Sequence, residues 1–137
     1  MELFYQENPP ITAQDIQEFE ANLGASLPED YKAHLLTYNG GHTNSMDIYF
    51  GFPDDGINLL YFYPLKYGDS EQVEQHDYLP YKHISIGRFS TGDLAMSLLE
   101  DTYGHIYSYY SEVELNFLAP SFTAFVSGLI DYADDEE

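Results

Sequence analysis

The sequence predicts an α+β domain in which an N-terminal helix pair and a C-terminal helix pack against a mainly antiparallel sheet. Three observations carry this. Two capped amphipathic segments occupy residues 11–41, alternating apolar patterns recur between residues 46 and 110, and a last stripe at helical spacing begins at Phe122. The 137 residues suit one domain with a real core, and no internal repeat or Gly/Ser linker divides them. The expected domain runs over residues 1–133, with 134–137 as an acidic tail.

The first helix is written out in full by its ends. Thr12 is a good N-cap, and Asp15 stands three residues on, where a capping-box acid belongs. Ile11 and Ile16 take the two positions of a hydrophobic staple. Ile16, Phe19 and Leu23 make one apolar stripe, and Gly24 supplies a left-handed C-cap. The second helix is expected to start with Pro28 in its first turn, because the missing proline N–H would be unpaired there anyway. Glu29 and Asp30 lie at its positive end, Tyr31, Leu35 and Tyr38 form its buried face, and Gly40 closes it.

Strands follow. Met46, Ile48 and Phe50 alternate with Asp47 and Tyr49 and predict a half-buried strand. Pro53-Asp54-Asp55-Gly56 is a turn, and Leu59 to Tyr63 is a short apolar strand stopped by Pro64. Residues 69–77 are polar and without period, which fits a long loop or a short surface helix. Ile84 and Ile86 alternate with His83 and Ser85, and Leu94, Met96 and Leu98 alternate in the next strand. Glu100 to Gly104 turns the chain back into Ile106–Tyr110, completing a hairpin. Phe122, Phe125, Val126, Leu129 and Ala133 predict a final amphipathic helix, and residues 131–137 are expected to fray.

Composition excludes several functions. No cysteine means no disulfide framework, no thiolate metal site and no cysteine nucleophile. The opening residues carry no basic region or long apolar run, which predicts a cytoplasmic protein without a signal peptide. No apolar window approaches the ~20 residues that span a bilayer. Twenty-four acids against four bases give a formal net charge of -20. Such a chain repels phosphate backbones and anionic lipids, so neither nucleic acid nor membrane is an expected partner. A basic protein would be attracted at long range, although the same acidity also serves solubility or a saline cytoplasm.

No catalytic constellation stands out. His34, His42, His76, His83 and His105 match no metal-ligand spacing, and His34, on the second helix beside Leu35, reads as structural. His83 and His105 are expected on strand faces opposite the buried Ile84 and Ile106. Asp54 to Asn58 lacks the length and the terminal Glu of a calcium loop, and Asn39-Gly40-Gly41-His42 reads as a helix cap and turn rather than a phosphate loop. No nucleophile elbow is present. The 14 tyrosines are the other candidate feature. Tyr107 and Tyr109 should share the face opposite Ile106, and both readings stand for them: a covered tyrosine core, or rigid contact area for a partner.

Three segments in order resemble one known family. ITAQDIQEFEANLGASLPEDYKAHLLTYNGG (11–41), ISIGRFSTGDLAMSLLEDTYGHIYSYYSE (84–112) and SFTAFVSGL (121–129) are similar to the blocks of the SUKH superfamily, the Smi/Knr-like domain. The resemblance implies an α+β fold of the kind read above. It also implies a non-enzymatic bacterial immunity protein without cofactor or metal, which neutralises a cognate polymorphic toxin. A basic nuclease is the expected target, and the free state is expected to be a monomer or weak homodimer. The alternative is a regulatory adaptor, as in fungal relatives, whose long disordered arms this sequence lacks. Members often place a Trp in the strands after Gly92-Asp93, whereas this chain has no Trp and carries Tyr109 and Tyr110 there. On this reading the partner-binding groups are acids and aromatics around the sheet: Asp54, Asp55, Glu71, Glu74, Tyr107, Tyr109, Glu112 and Glu114.

Overall fold

Thr12 begins the first helix as its sequence requires. In the computed structural model, its side-chain oxygen accepts from the Asp15 amide at 3.2 Å, while the Asp15 carboxylate accepts from the Thr12 amide at 2.9 Å. The structure describes residues 3–52, 54, 56–68, 72–75, 79, 81–109 and 115–132. Helix α1 spans Ala13–Leu23 and ends at Gly24 with φ 80°. Ile11 and Ile16 are both buried, as the staple demands.

Helix α2 spans Glu29–Tyr38. Pro28 precedes it as the N-cap, one residue before the expected first-turn position, and Asn39 rather than Gly40 takes the left-handed C-cap with φ 46°. The reason for Asn39 is its side chain. It donates to the carbonyls of Pro9 at 2.8 Å and Lys66 at 2.9 Å, and accepts from the Leu65 amide at 2.9 Å. A fully buried amide with all three bonds made ties three separate segments together.

The strands are β1 (Phe4–Tyr5), β2 (His42–Thr43), β3 (Ile48–Phe50), β4 (Ile57–Phe62), β5 (His83–Phe89), β6 (Gly92–Ser97), β7 (Ile106–Tyr109), β8 (Asn116–Ala119) and β9 (Leu129–Asp131). The main sheet runs β1-β2-β4-β5-β6-β7-β8, antiparallel throughout, and β3 pairs with both β4 and β9. Met46 stands outside β3 and is 85% exposed, so the expected strand begins two residues later. The next expected strand, 59–63, is β4 at 57–62.

The C-terminal helix α3 covers only Phe122–Ser127. It stops because the chain then enters β9, which pairs with β3 through Ile48↔Asp131, Tyr49↔Ile130 and Phe50↔Leu129. Gly128 makes that change possible: a Cβ there would stand 2.7 Å from the Phe50 ring. Leu129 and Asp131 therefore belong to a strand, not to a helix or a fraying tail. Residues 133–137 lie outside the described residues, as do 69–71 and 76–78 of the loop before β5.

One core joins helices and sheet. Ile84, Met96, Ile106 and Ala119 form a single transverse row by register and all face it, with Leu35, Ile16, Phe122 and Phe125 from the helices packed in the same cluster. Asp30 fastens α2 to α3 by accepting from the Thr123 amide and hydroxyl, at 2.9 and 2.8 Å. β5 departs from simple alternation: His83, Ile84, Ser85 and Ile86 are all buried. Its second face is covered too, and the Glu74 bridge to Ser85 extends the pairing beyond the end of β4.

Candidate partner-binding surface

The sheet's second face carries no helix among the described residues. Its buried cluster contains Leu79, Ala95 and Tyr109 with Leu115 against them, and no helical residue among those described. Register places a single row of side chains across this face: Tyr5 opposite His42, His42 opposite Tyr61, Tyr61 opposite Arg88, Arg88 opposite Asp93, and Asp93 opposite Tyr109. Directly opposed residues in antiparallel strands project to the same side, so the row is continuous from β1 to β7. A second row runs beside it: Glu74, Ser85, Ala95, Tyr107 and Phe117.

Aromatic contacts hold the first row. The His42 ring stacks on Tyr5 with centroids 5.3 Å apart and on Tyr61 at 5.7 Å. Tyr61 meets Tyr63 edge-on at 5.8 Å. The Tyr63 hydroxyl donates to Asp93 Oδ1 at 2.8 Å, and Arg88 Nη1 lies 3.7 Å from the same oxygen. The Tyr63 hydroxyl beside Arg88, and then the Asp93 charge, hold the guanidinium more firmly protonated than usual. In the second row Tyr107 lies 6.0 Å from Phe117 and 5.8 Å from His83. Gly92 is required between the rows' strands, since a Cβ there would collide with the Tyr109 carbonyl and stand 2.9 Å from the Phe89 ring.

The sequence-derived candidates divide. Glu74, Tyr107 and Tyr109 come together on this face, in adjoining rows. Glu74 is exposed and Tyr107 half-buried, whereas Tyr109 is 1% exposed and donates to Ser85 Oγ at 3.2 Å, so its ring is core to this face. Asp54 is exposed on the turn before β4 and belongs to neither row. Asp55, Glu71, Glu112 and Glu114 lie outside the described residues, as does Tyr110. Tyr5, His42, Tyr61, Tyr63, Arg88 and Asp93 stand outside the set of partner-binding residues predicted from sequence. Their alignment depends on pairing between strands far apart in the chain, and only the Gly92-Asp93 pair and His42 after the double glycine hinted at it.

The described cations are mostly paired with carboxylates. Lys32 pairs with Glu29 at 3.0 Å and Glu20 at 3.7 Å, Lys66 with Asp15 at 2.9 Å, and Arg88 with Asp93. The amide of Thr12 and then Lys66 keep the Asp15 carboxyl below the usual range. Three of the four cations are thus answered by carboxylates, Lys82 lies over the Tyr81 ring, and most of the 24 acids remain to set the field. His34 is structural: its Nε2 lies 2.6 Å from the Gly40 carbonyl amid Phe4, Phe62 and Phe122, and burial lowers its pKa to about 4. The described residues contain no cluster of His, Asp and Glu able to hold a metal, and no helix long and apolar enough to cross a membrane. Two concavities open elsewhere: about 280 Å³ between α1 and α2 beside Leu36, and about 400 Å³ among Phe50, Phe52, Ile57 and Leu118.

Together these features define an α+β domain with helices on one sheet face and an aromatic row, set in an acidic molecule, on the other. The chain belongs to the SMI1 / KNR4 family (SUKH-1), whose family model matches residues 10–128. It is therefore of the immunity and Smi/Knr type at the level of that family, whose domains are generally non-enzymatic protein-interaction modules. No individual curated protein matches it significantly.

Proposed function

We propose that this protein is a cytoplasmic, non-enzymatic immunity protein that binds and neutralises a cognate toxin domain, a basic nuclease. Family membership supports a protein partner, and one observation carries the choice of a basic one: the net charge of -20 on a chain whose lysines and arginine include three already paired with carboxylates. A nuclease concentrates Lys and Arg where it holds its substrate. An acidic protein can occupy that region or sit beside it and block access. The long-range field speeds encounter, and close contacts then set the lifetime of the complex. Asp54, Asp55, Glu71, Glu74, Tyr107, Glu112 and Glu114 are the proposed contributors outside the central row, with Tyr109 supporting the face from beneath.

The reaction blocked is the toxin's, so the chain needs no chemistry of its own. It must be rigid, acidic and well matched in shape. The test is co-expression: a strain carrying the toxin encoded by the adjacent gene survives when this chain is present and dies when it is absent. Death in both strains, with the chain soluble and folded, removes the immunity reading and leaves a regulatory adaptor.

A further inference from the structure

Asp93 is held in an unusual state of readiness. Both of its contacts, from the Tyr63 hydroxyl and the Arg88 guanidinium, fall on Oδ1. Oδ2 has no hydrogen-bond partner among the described residues, and the side chain stays 21% exposed. The carboxylate is therefore oriented and part-neutralised at one oxygen, while the other keeps no partner among the described residues. Arg88 spends its charge on Asp93 and Tyr63, so it offers little to an anion.

To one side lie the rings of Tyr61, His42 and Tyr5, stacked in sequence, and Tyr5 is 44% exposed at the edge. To the other lie Tyr107 and the 56% exposed Phe117, with Glu74 on the same face. Stacked aromatics lose little entropy on binding, and they attract cations to their faces. A fixed acceptor on a face that carries aromatic rings to either side is complementary to a guanidinium or ammonium group, and the acidity of the chain suits the same partner.

We infer that the row Tyr5–His42–Tyr61–Arg88–Asp93 is the energetic centre of the docking face for the basic toxin, with Asp93 Oδ2 receiving an Arg or Lys side chain of that partner. The inference rests on the immunity reading and adds to it. The peripheral acids govern the approach, whereas this row governs the lifetime of the complex. The interface is then centred on residues of modest charge, not on the most acidic loops.

The experiment uses the full chain and a catalytically inactivated form of the toxin encoded beside it, with association and dissociation rates measured separately. Asp93→Asn keeps shape and removes charge; Tyr5→Ala trims an exposed ring on β1; Glu100→Gln, on the exposed turn after β6, is the control. Asp93→Asn and Tyr5→Ala are each expected to raise the dissociation rate at least about tenfold, and Glu100→Gln to alter chiefly the association rate. Circular dichroism spectra and melting curves verify that each variant is folded. Dissociation rates unchanged in both row variants, with the wild-type complex intact, overturn this inference alone. Absence of any wild-type complex overturns the immunity reading and this inference together.

Discussion

Tyr31 offers a direct probe of how the core is assembled. Its side chain is 0% exposed, its ring lies 5.1 Å from Phe122, and its hydroxyl has no hydrogen-bond partner among the described residues. Burial alone pushes the phenol pKa far up. An unpaired buried hydroxyl costs roughly 1–3 kcal/mol, because it gives up water on folding and gains nothing in return. Tyr31→Phe removes that cost and retains the ring. It leaves a void near the size of one water, ~15 Å³, and at about 24 cal/mol per Å³ this returns only ~0.4 kcal/mol. The variant should be more stable by about 1 kcal/mol, which for a chain of this size raises the melting temperature by about 4 °C. Urea titration followed by circular dichroism measures the difference. A loss of 1 kcal/mol or more would show that the hydroxyl is bonded in the fold and refute the reasoning.

Two further predictions concern stability. Asn39→Ala removes three buried hydrogen bonds and puts a Cβ-bearing apolar residue at φ 46°, so it should cost about 3 kcal/mol in urea denaturation. Asn39→Gly, which relieves the backbone but not the bonds, should recover less than half. His34, with its pKa lowered to about 4 from 6.5, is neutral in the fold but takes up a proton when unfolded. Its contribution is complete above pH 6.5 and drains away as pH falls toward 4, by at most about 3 kcal/mol. His34→Phe should flatten the pH dependence of the urea midpoint over that interval; an unchanged slope would assign the acid sensitivity to other groups.

The helices were legible because their ends are chemical. Thr12 with Asp15, the Ile11–Ile16 staple and Gly24 each act within a few residues, so local sequence fixes them, and the structure bears all of them out. The α+β class followed for the same reason. Short strands were harder. β1 and β2 have two residues each and β9 three, too few to show a period, and each exists because a distant strand pairs with it. The last helix misled because Phe122, Phe125, Val126 and Leu129 keep helical spacing, yet Gly128 and the pairing with β3 divert the chain. His83 misled in the opposite way: alternation implied a solvated face, but the ring is buried against the Tyr81 carbonyl and Tyr107.

The candidate surface was legible only in composition. Acids and tyrosines announced a partner, but the row from Tyr5 to Asp93 joins residues 88 positions apart in the numbering, 5 to 93, through successive register pairs. No window of sequence contains it. What folding adds is the orientation of Asp93 by Tyr63 and Arg88, and the stacking of His42 between two tyrosines.

The central claim is that a strongly acidic chain captures a basic toxin. Its most direct test is the association rate of the purified pair, this chain with the inactivated toxin encoded beside it, followed from about 20 to 500 mM salt. The account predicts association near 10⁸ M⁻¹s⁻¹ at low salt, falling toward about 10⁶ as the field is screened. A complex whose association rate is indifferent to salt, or no complex at all, would contradict it.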